Sequence, residues 1–336
     1  MNPAAQPPAT ASPPTQPDAA TICALAPDAG VLAFDGADAA AFLHGQLSSD
    51  VAGMVPGAAG WTSYNSPKGR MLGTVLLWRA GADSFRAFVA ADLAAPLARR
   101  LAMFVLRAKV KVADLTGDGQ TVGVGGAGAA DAVRTVLGVA PEPGQGAHAG
   151  DAFVVAAPDG RYFVHAPAAR AGAIAAALAT HAVPVSVDAW HRLGIRAGVP
   201  AVTRATQDLF VPQTANWDLV GGVNFRKGCY PGQEIVARMQ YLGRLKERLF
   251  AFHVDAPPPA PATPVYSPVF GEQACGTVVN AASSPDGGSD LLAVVHWAAA
   301  DADGALRLGT PDGPPLSARA LPYAVPAPVA PERPKL

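Results

Sequence analysis

The sequence predicts an α+β protein built in three parts, and three observations carry that prediction. With 35 glycines and 33 prolines in 336 residues, the chain turns too often for a helical bundle. Between about Val122 and Val187 an Ala-rich stretch alternates helical and extended patterns, as a small ferredoxin-like α+β module does. Beyond Arg248, short apolar runs are separated by Pro- and Gly-rich turns, the pattern of a small β-barrel.

The elements follow in order. Val31 to Phe34 reads as a strand, and Asp38 to Leu47 as a helix with Asp38 at its N-cap and Phe42, Leu43 and Leu47 on one face. Trp61 to Tyr64 and Met71 to Trp78 form a hairpin around Asn65-Ser66-Pro67-Lys68-Gly69-Arg70, and Phe85 to Ala90 adds a strand. From Leu106 to Val112 apolar and basic residues alternate strictly, which predicts a half-buried strand. Helices are expected over Ala129 to Leu137, Arg170 to Ala179 and Ser186 to Ile195, with strands near Phe153 and Phe163. The barrel strands are Leu249 to Val254, Gly276 to Ala281, Leu291 to Trp297 and Leu306 to Leu308.

Composition narrows the function classes. Half the residues are hydrophobic and the net charge is −1, so a large core is available and no polyelectrolyte character favours direct nucleic-acid binding. Cys23, Cys229 and Cys275 form neither a disulfide framework nor a C-x-x-C metal spacing, so no metal site is expected and a reducing compartment is. The first basic residue is Lys68, which predicts no signal or transit peptide, and apolar runs such as Leu291 to Val295 are too short for a membrane span. These features together predict a soluble cytoplasmic protein.

The most informative stretch is Lys227-Gly228-Cys229-Tyr230-Pro231-Gly232-Gln233-Glu234, which leads into a helical pattern ending near Tyr241. A thiol reacts as thiolate, and neighbouring cations or a helix N-terminus favour that form. Cys229 is therefore read as a reactive thiol with Lys227 as its cation; the alternative is a small, buried, inert cysteine. Basic residues cluster from Arg226 to Arg248 and again from Arg99 to Lys111, and would form a positive cleft if the two stretches adjoin. Glu234 lies in the first helical turn, four residues before Arg238, a spacing suited to a weak ion pair.

The octapeptide resembles the signature of the YgfZ family, folate-binding relatives of the glycine-cleavage aminomethyltransferase. Phe210, Pro212, Gln213, Asn216, Gly222 and Phe225 match that family's approach to the signature, and Gly36 to Val51 looks like its opening helix. The resemblance implies a GcvT/YgfZ-like three-part fold around a central cavity. In that frame 1–20 and 322–336 are disordered tails, 21–120 with 187–245 is the folate-binding part, 121–186 the ferredoxin-like part and 246–321 the barrel. It also implies tetrahydrofolate or a derivative as ligand, with Trp190, Arg107, Lys109, Arg226, Tyr230, Gln233 and Glu234 around it. Trp190 and Tyr230 are the stacking candidates, though such aromatics are more often simply packing residues. The implied role is assembly or maintenance of iron–sulfur enzymes, including cluster-dependent tRNA-modifying enzymes. Client enzymes or cluster carriers are then the partners, and a cluster is engaged only transiently, since one thiol cannot hold it alone. The transferases carry an acidic pair after their Asn-x-x-Gly-Gly turn and a Glu before an Ala-Gly pair. Here Leu72 and Gly73 stand at the first place and Arg196 at the second. That favours an accessory factor over the alternative, a folate-dependent one-carbon transferase or demethylase.

Overall fold

The computed structural model describes residues 20–26, 28–241, 245–301 and 305–327. The expected tails lie largely outside these residues. Of the C-terminal one, 322–327 are described, and Tyr323 donates its hydroxyl to the Gly198 carbonyl at 2.6 Å.

After β1 (Ile22–Leu25), an antiparallel sheet forms from β2 (Ala29–Asp35), β3 (Ala59–Asn65), β4 (Met71–Gly81), β5 (Ser84–Ala90) and β6 (Lys111–Asp114), in the order β3-β4-β5-β2-β6. Helix α1 (Ala39–His44) follows β2 and α2 (Ala91–Ala102) follows β5. In α2, Leu93, Leu97 and Leu101 recur every four residues and are all buried, the stripe of a helix packed on a sheet.

The second sheet comprises β7 (Gly119–Gly125), β8 (Gln145–Ala149), β9 (Ala152–Ala156), β10 (Tyr162–Pro167) and β11 (Val183–Pro184), with α3 (Ala129–Leu137) and α4 (Ala168–Leu178). Its order is β11-β1-β7-β10-β9-β8, so β1 is inserted between β11 and β7. Helix α5 (Val187–Arg196) starts at Ser186, whose hydroxyl accepts from the Ala189 amide, and α6 (Gln233–Tyr241) follows the signature.

The third sheet holds β12 (Glu247–Val254), β13 (Pro264–Tyr266), β14 (Ala274–Ser283), β15 (Ser289–His296), β16 (Arg307–Leu308) and β17 (Ser317–Arg319), with α7 (Trp297–Ala300) after β15. The order is β16-β13-β14-β15-β12-β17. Leu308 and Leu316 amides bond across to Pro314 and Leu306, and the next residues pair with β12. One segment thus bonds both edges and curls the sheet closed.

Two expectations are corrected here. Leu106 to Val112 is not a strand: residues 103–109 are turns, and only Lys111 begins β6. Leu106 has φ +46° and is 88% exposed, so the alternation does not mark a buried face. The helix expected to Leu47 ends at His44, because Leu47 bridges Tyr64 and the Ser48 amide bonds the Ser63 carbonyl, drawing the chain onto β3. Asp38 does occupy the N-cap, but its carboxylate accepts from the Lys109 amide at 2.7 Å and not from the helix.

A single apolar cluster includes Trp61 and Phe88 of the first sheet, Phe153 and Phe163 of the second, Trp190 of α5, and Leu249 and Val279 of the third. The three parts meet around this core.

Candidate functional site

Lys227 fixes the signature loop. Its ammonium is buried and donates to the carbonyls of His44 and, at 2.9 Å, Leu47. These are the last carbonyls of α1 and its exit, where a cation is favoured. Nζ also lies 4.8 Å above the centre of the Tyr230 ring, a cation–π contact that explains why Tyr230 is itself buried. Burial lowers the Lys227 pKa to about 8, against the opposing charges of Asp50 and Cys229. Cys229, two residues on, is exposed, whereas Cys23 and Cys275 are buried and their thiols are pushed up by burial. Cys229 is therefore not the buried cysteine of the alternative reading.

His44 belongs to this site and carries no local signal in the sequence, being 185 positions from Cys229. Its Nδ1 lies 3.2 Å from the Asp50 carboxylate and accepts from the Ala52 amide at 3.2 Å. Nε2 faces the loop: a Cβ built on Gly228 would stand 3.4 Å from it. Burial and the Lys227 charge lower the His44 pKa, and Asp50 opposes them.

The loop sits tightly on the β3–β4 turn. Gly232 has φ +77°, and a Cβ there would lie 2.4 Å from the Ser66 carbonyl oxygen and 2.6 Å from the Gly69 Cα, so only glycine fits. The upstream motif is scaffold. Gln213 donates to the Val236 carbonyl of α6 at 2.7 Å, and Asn216 to the Leu249 carbonyl of β12 at 2.9 Å. The Arg248 guanidinium reaches Gln213, Asn216 and, through two bonds, the Asp218 carboxylate. Together these contacts set the height and angle of α6 relative to the barrel. In the signature itself Gln233 donates to the Lys227 carbonyl at 3.4 Å, Glu234 is exposed, and Glu234 and Arg238 make no ion pair with each other.

A separate cavity of about 260 Å³ lies where the three parts meet. Trp61 and Phe88 come from the first sheet, Arg161 and Phe163 from the second, Trp190 from α5, and Asn280 from the barrel. Trp190 packs flat on the second sheet, where a Cβ at Gly123 would lie 2.5 Å from the indole. It meets Phe163 edge-on at 5.2 Å, and the Arg161 guanidinium lies over both rings. That guanidinium is neutralised by Asp159 at 2.6 Å. Asn280 exchanges two hydrogen bonds with the Ala201 backbone and clips the barrel to the cavity wall. The buried Thr203 hydroxyl in this wall has no hydrogen-bond partner, so it is available to a ligand. The carboxylate in the wall, Asp28, is paired with His191 Nε2 at 2.5 Å.

Of the residues expected around a ligand, Trp190 lines this cavity. Arg226, Tyr230, Gln233 and Glu234 lie in the signature loop and helix outside its lining, and Arg107 and Lys109 are exposed in the turn before β6. The two basic stretches do not converge on it either: Lys109 is held at the start of α1 through Asp38, and Lys227 at its end. Leu72 is buried, a Cβ at Gly73 would meet Leu97 at 2.9 Å, and Arg196 is exposed, so no carboxylate occupies the transferase positions.

The fold is that of the aminomethyltransferases. It is similar to glycine cleavage system aminomethyltransferase T from Bartonella henselae, with a TM-score of 0.75 and 18% identity over 91% of this chain and 87% of that one. The chain is YgfZ-like in sequence over nearly its whole length. It is 29% identical over 325 residues to tRNA-modifying protein YgfZ of Enterobacter sp. (strain 638), covering 93% of this chain and 98% of that protein. It is 29% identical over 295 residues to tRNA-modifying protein YgfZ of Edwardsiella ictaluri (strain 93-146), covering 86% and 88%. No family model matches the chain. Among the described residues no helix is long and apolar enough to cross a membrane.

Proposed function

We propose that this protein is a cytoplasmic accessory factor for assembly or maintenance of iron–sulfur enzymes, cluster-dependent tRNA-modifying enzymes among them. The observation that carries this reading is the separation of two sites. An exposed thiol is clamped at the end of α1, while the cavity offers no carboxylate free for transfer chemistry. Cys229 engages a cluster, a sulfur species or a client protein transiently. Among the described residues no group of three or more His, Cys, Asp or Glu could hold a metal ion, so a cluster would be shared with its partner.

Tetrahydrofolate or a derivative fits the cavity in character. Trp61, Phe88, Phe163 and Trp190 offer apolar faces and edges to a flat heterocycle, and Thr203 offers a hydroxyl. At about 260 Å³ the space suits the ring system of a folate, with Asp28 and His191 among its lining residues. The folate supplies a one-carbon carrier when bound. Cys229→Ala should lower the activity of iron–sulfur enzymes in cells without lowering the level of this protein; unchanged activities would sink the reading. The second reading, a one-carbon transferase, requires Asp28, the carboxylate in the cavity lining, to leave its pairing with His191. Turnover of methylamine or glycine-derived substrates with tetrahydrofolate, abolished by Asp28→Asn, would favour it.

A further inference from the structure

The turn between α2 and β6 exposes three large apolar side chains in four residues: Met103, Phe104 and Leu106, at 65, 45 and 88% exposure. Leu106 also holds a left-handed backbone, φ +46°, which a side chain with a Cβ adopts only at a steric cost. Such strain gathers at binding sites, where the conformation serves something other than packing. Here the strain buys no burial, since the side chain points into solvent.

The turn is nonetheless firmly held. Phe104, Val105 and Ala108 amides donate to Leu101, Ala102 and Val105 carbonyls at 3.0, 3.2 and 2.8 Å. Lys109 donates its amide to the Asp38 carboxylate at 2.7 Å and accepts from the Asp38 amide at 3.2 Å. Leu106 is thus a fixed projection. Around it Arg99, Arg107, Lys109 and Lys111 are exposed and join no ion pair among the described residues. Arg100 alone turns inward, to the Tyr64 hydroxyl at 3.2 Å. No acidic residue occurs from Arg99 through Lys111.

We propose that the 103–109 turn is a docking site for an acidic protein partner, with Leu106 as its anchor and the four free cations as its rim. Apolar anchors ringed by Arg and Lys match a pocket with an acidic border. RNA fits less well, because Leu106 and Met103 offer no flat face to stack on a base and only half-covered Phe104 does. A lipid surface would need no particular backbone at Leu106, whereas a pocket needs one projection held in one place. None of these residues lines the cavity.

A photo-crosslinking residue in place of Met103, used in intact cells, identifies what covers the turn. The purified partner is then titrated calorimetrically against the full chain at about 50 and 300 mM salt. The expected result is a one-to-one complex with a protein of acidic surface that weakens with salt. Leu106→Gly should weaken it roughly tenfold or more, and Arg107→Glu should weaken it as well. Because glycine adopts the left-handed turn freely, Leu106→Gly should melt at or above the wild-type temperature, which separates docking from folding. Crosslinks to nucleic acid, lipid or a second copy of this chain, no crosslink at all, or a complex indifferent to Leu106→Gly would each overturn the proposal.

Discussion

Lys227→Met should leave the protein almost as stable as wild type at pH 7 while changing how stability responds to alkali. The ammonium is held well below its ordinary pKa, from 10.5 to about 8, because it is buried. That shift means about 3 kcal/mol acts against the charged form. Methionine keeps an apolar stem on the Tyr230 ring and removes this cost. It also leaves the buried Leu47 carbonyl without its charged donor, a loss of about 1.5–3 kcal/mol, while the part-buried His44 carbonyl can turn to water. The opposing effects place the variant within about 2 kcal/mol of wild type. The pH response is sharper. Between about pH 8 and about 10.4 the unfolded chain still holds the Lys227 proton that the folded chain has released, so wild-type stability rises there. From pH 7 to 9.5 this group alone adds about 2 kcal/mol, and the methionine variant gains none of it. Tyr230 and Tyr323, pushed up to about 12 by burial, act the opposite way but equally in both proteins. Urea denaturation of both proteins at the two pH values measures the difference. Parallel responses, or a loss above about 4 kcal/mol at pH 7, would refute the reasoning.

Gly232→Ala should cost about 2–3 kcal/mol or more, read as a fall in melting temperature, because the new Cβ strikes the Ser66 carbonyl at a positive φ. In the native protein a thiol reagent should label Cys229 alone, Cys229→Ser should abolish that labelling, and denaturation should open Cys23 and Cys275; three fast thiols in the native state would contradict the burial. His165, buried against the Thr121 hydroxyl, has its pKa lowered to about 4 by desolvation. The unfolded chain therefore takes up a proton first as pH falls from about 6.5, and stability drops by about 2 kcal/mol by about pH 4.5. His165→Gln should flatten that fall in acid denaturation curves.

Most of the framework was legible because local chemistry and tertiary packing agree. Ala129 to Leu137 is helical as expected, with Gly138 in the left-handed C-cap that ends it, and the strands around Trp61 and Trp78 sit where apolar runs flank a Pro-Gly turn, with the Phe85 strand following. Leu106 to Val112 failed for a physical reason. Alternation records spacing but not direction, and a left-handed leucine sends no signal that a glycine or asparagine would. β13 was missed because three residues beginning with Pro264 show no period. At the site, the Lys227–Tyr230 contact and the glycine packing grow from the signature itself. His44 and Asp50 reach it only through the third dimension, and the cavity lining is drawn from segments with no common motif.

Titration of tetrahydrofolate into wild type, Trp190→Phe, Lys227→Ala and Cys229→Ala tests the separation of ligand cavity and thiol site most directly. Binding should persist in Lys227→Ala and Cys229→Ala and weaken in Trp190→Phe, because only Trp190 of the three lines the cavity. No binding to wild type, or binding lost with Cys229 and indifferent to Trp190, would contradict it.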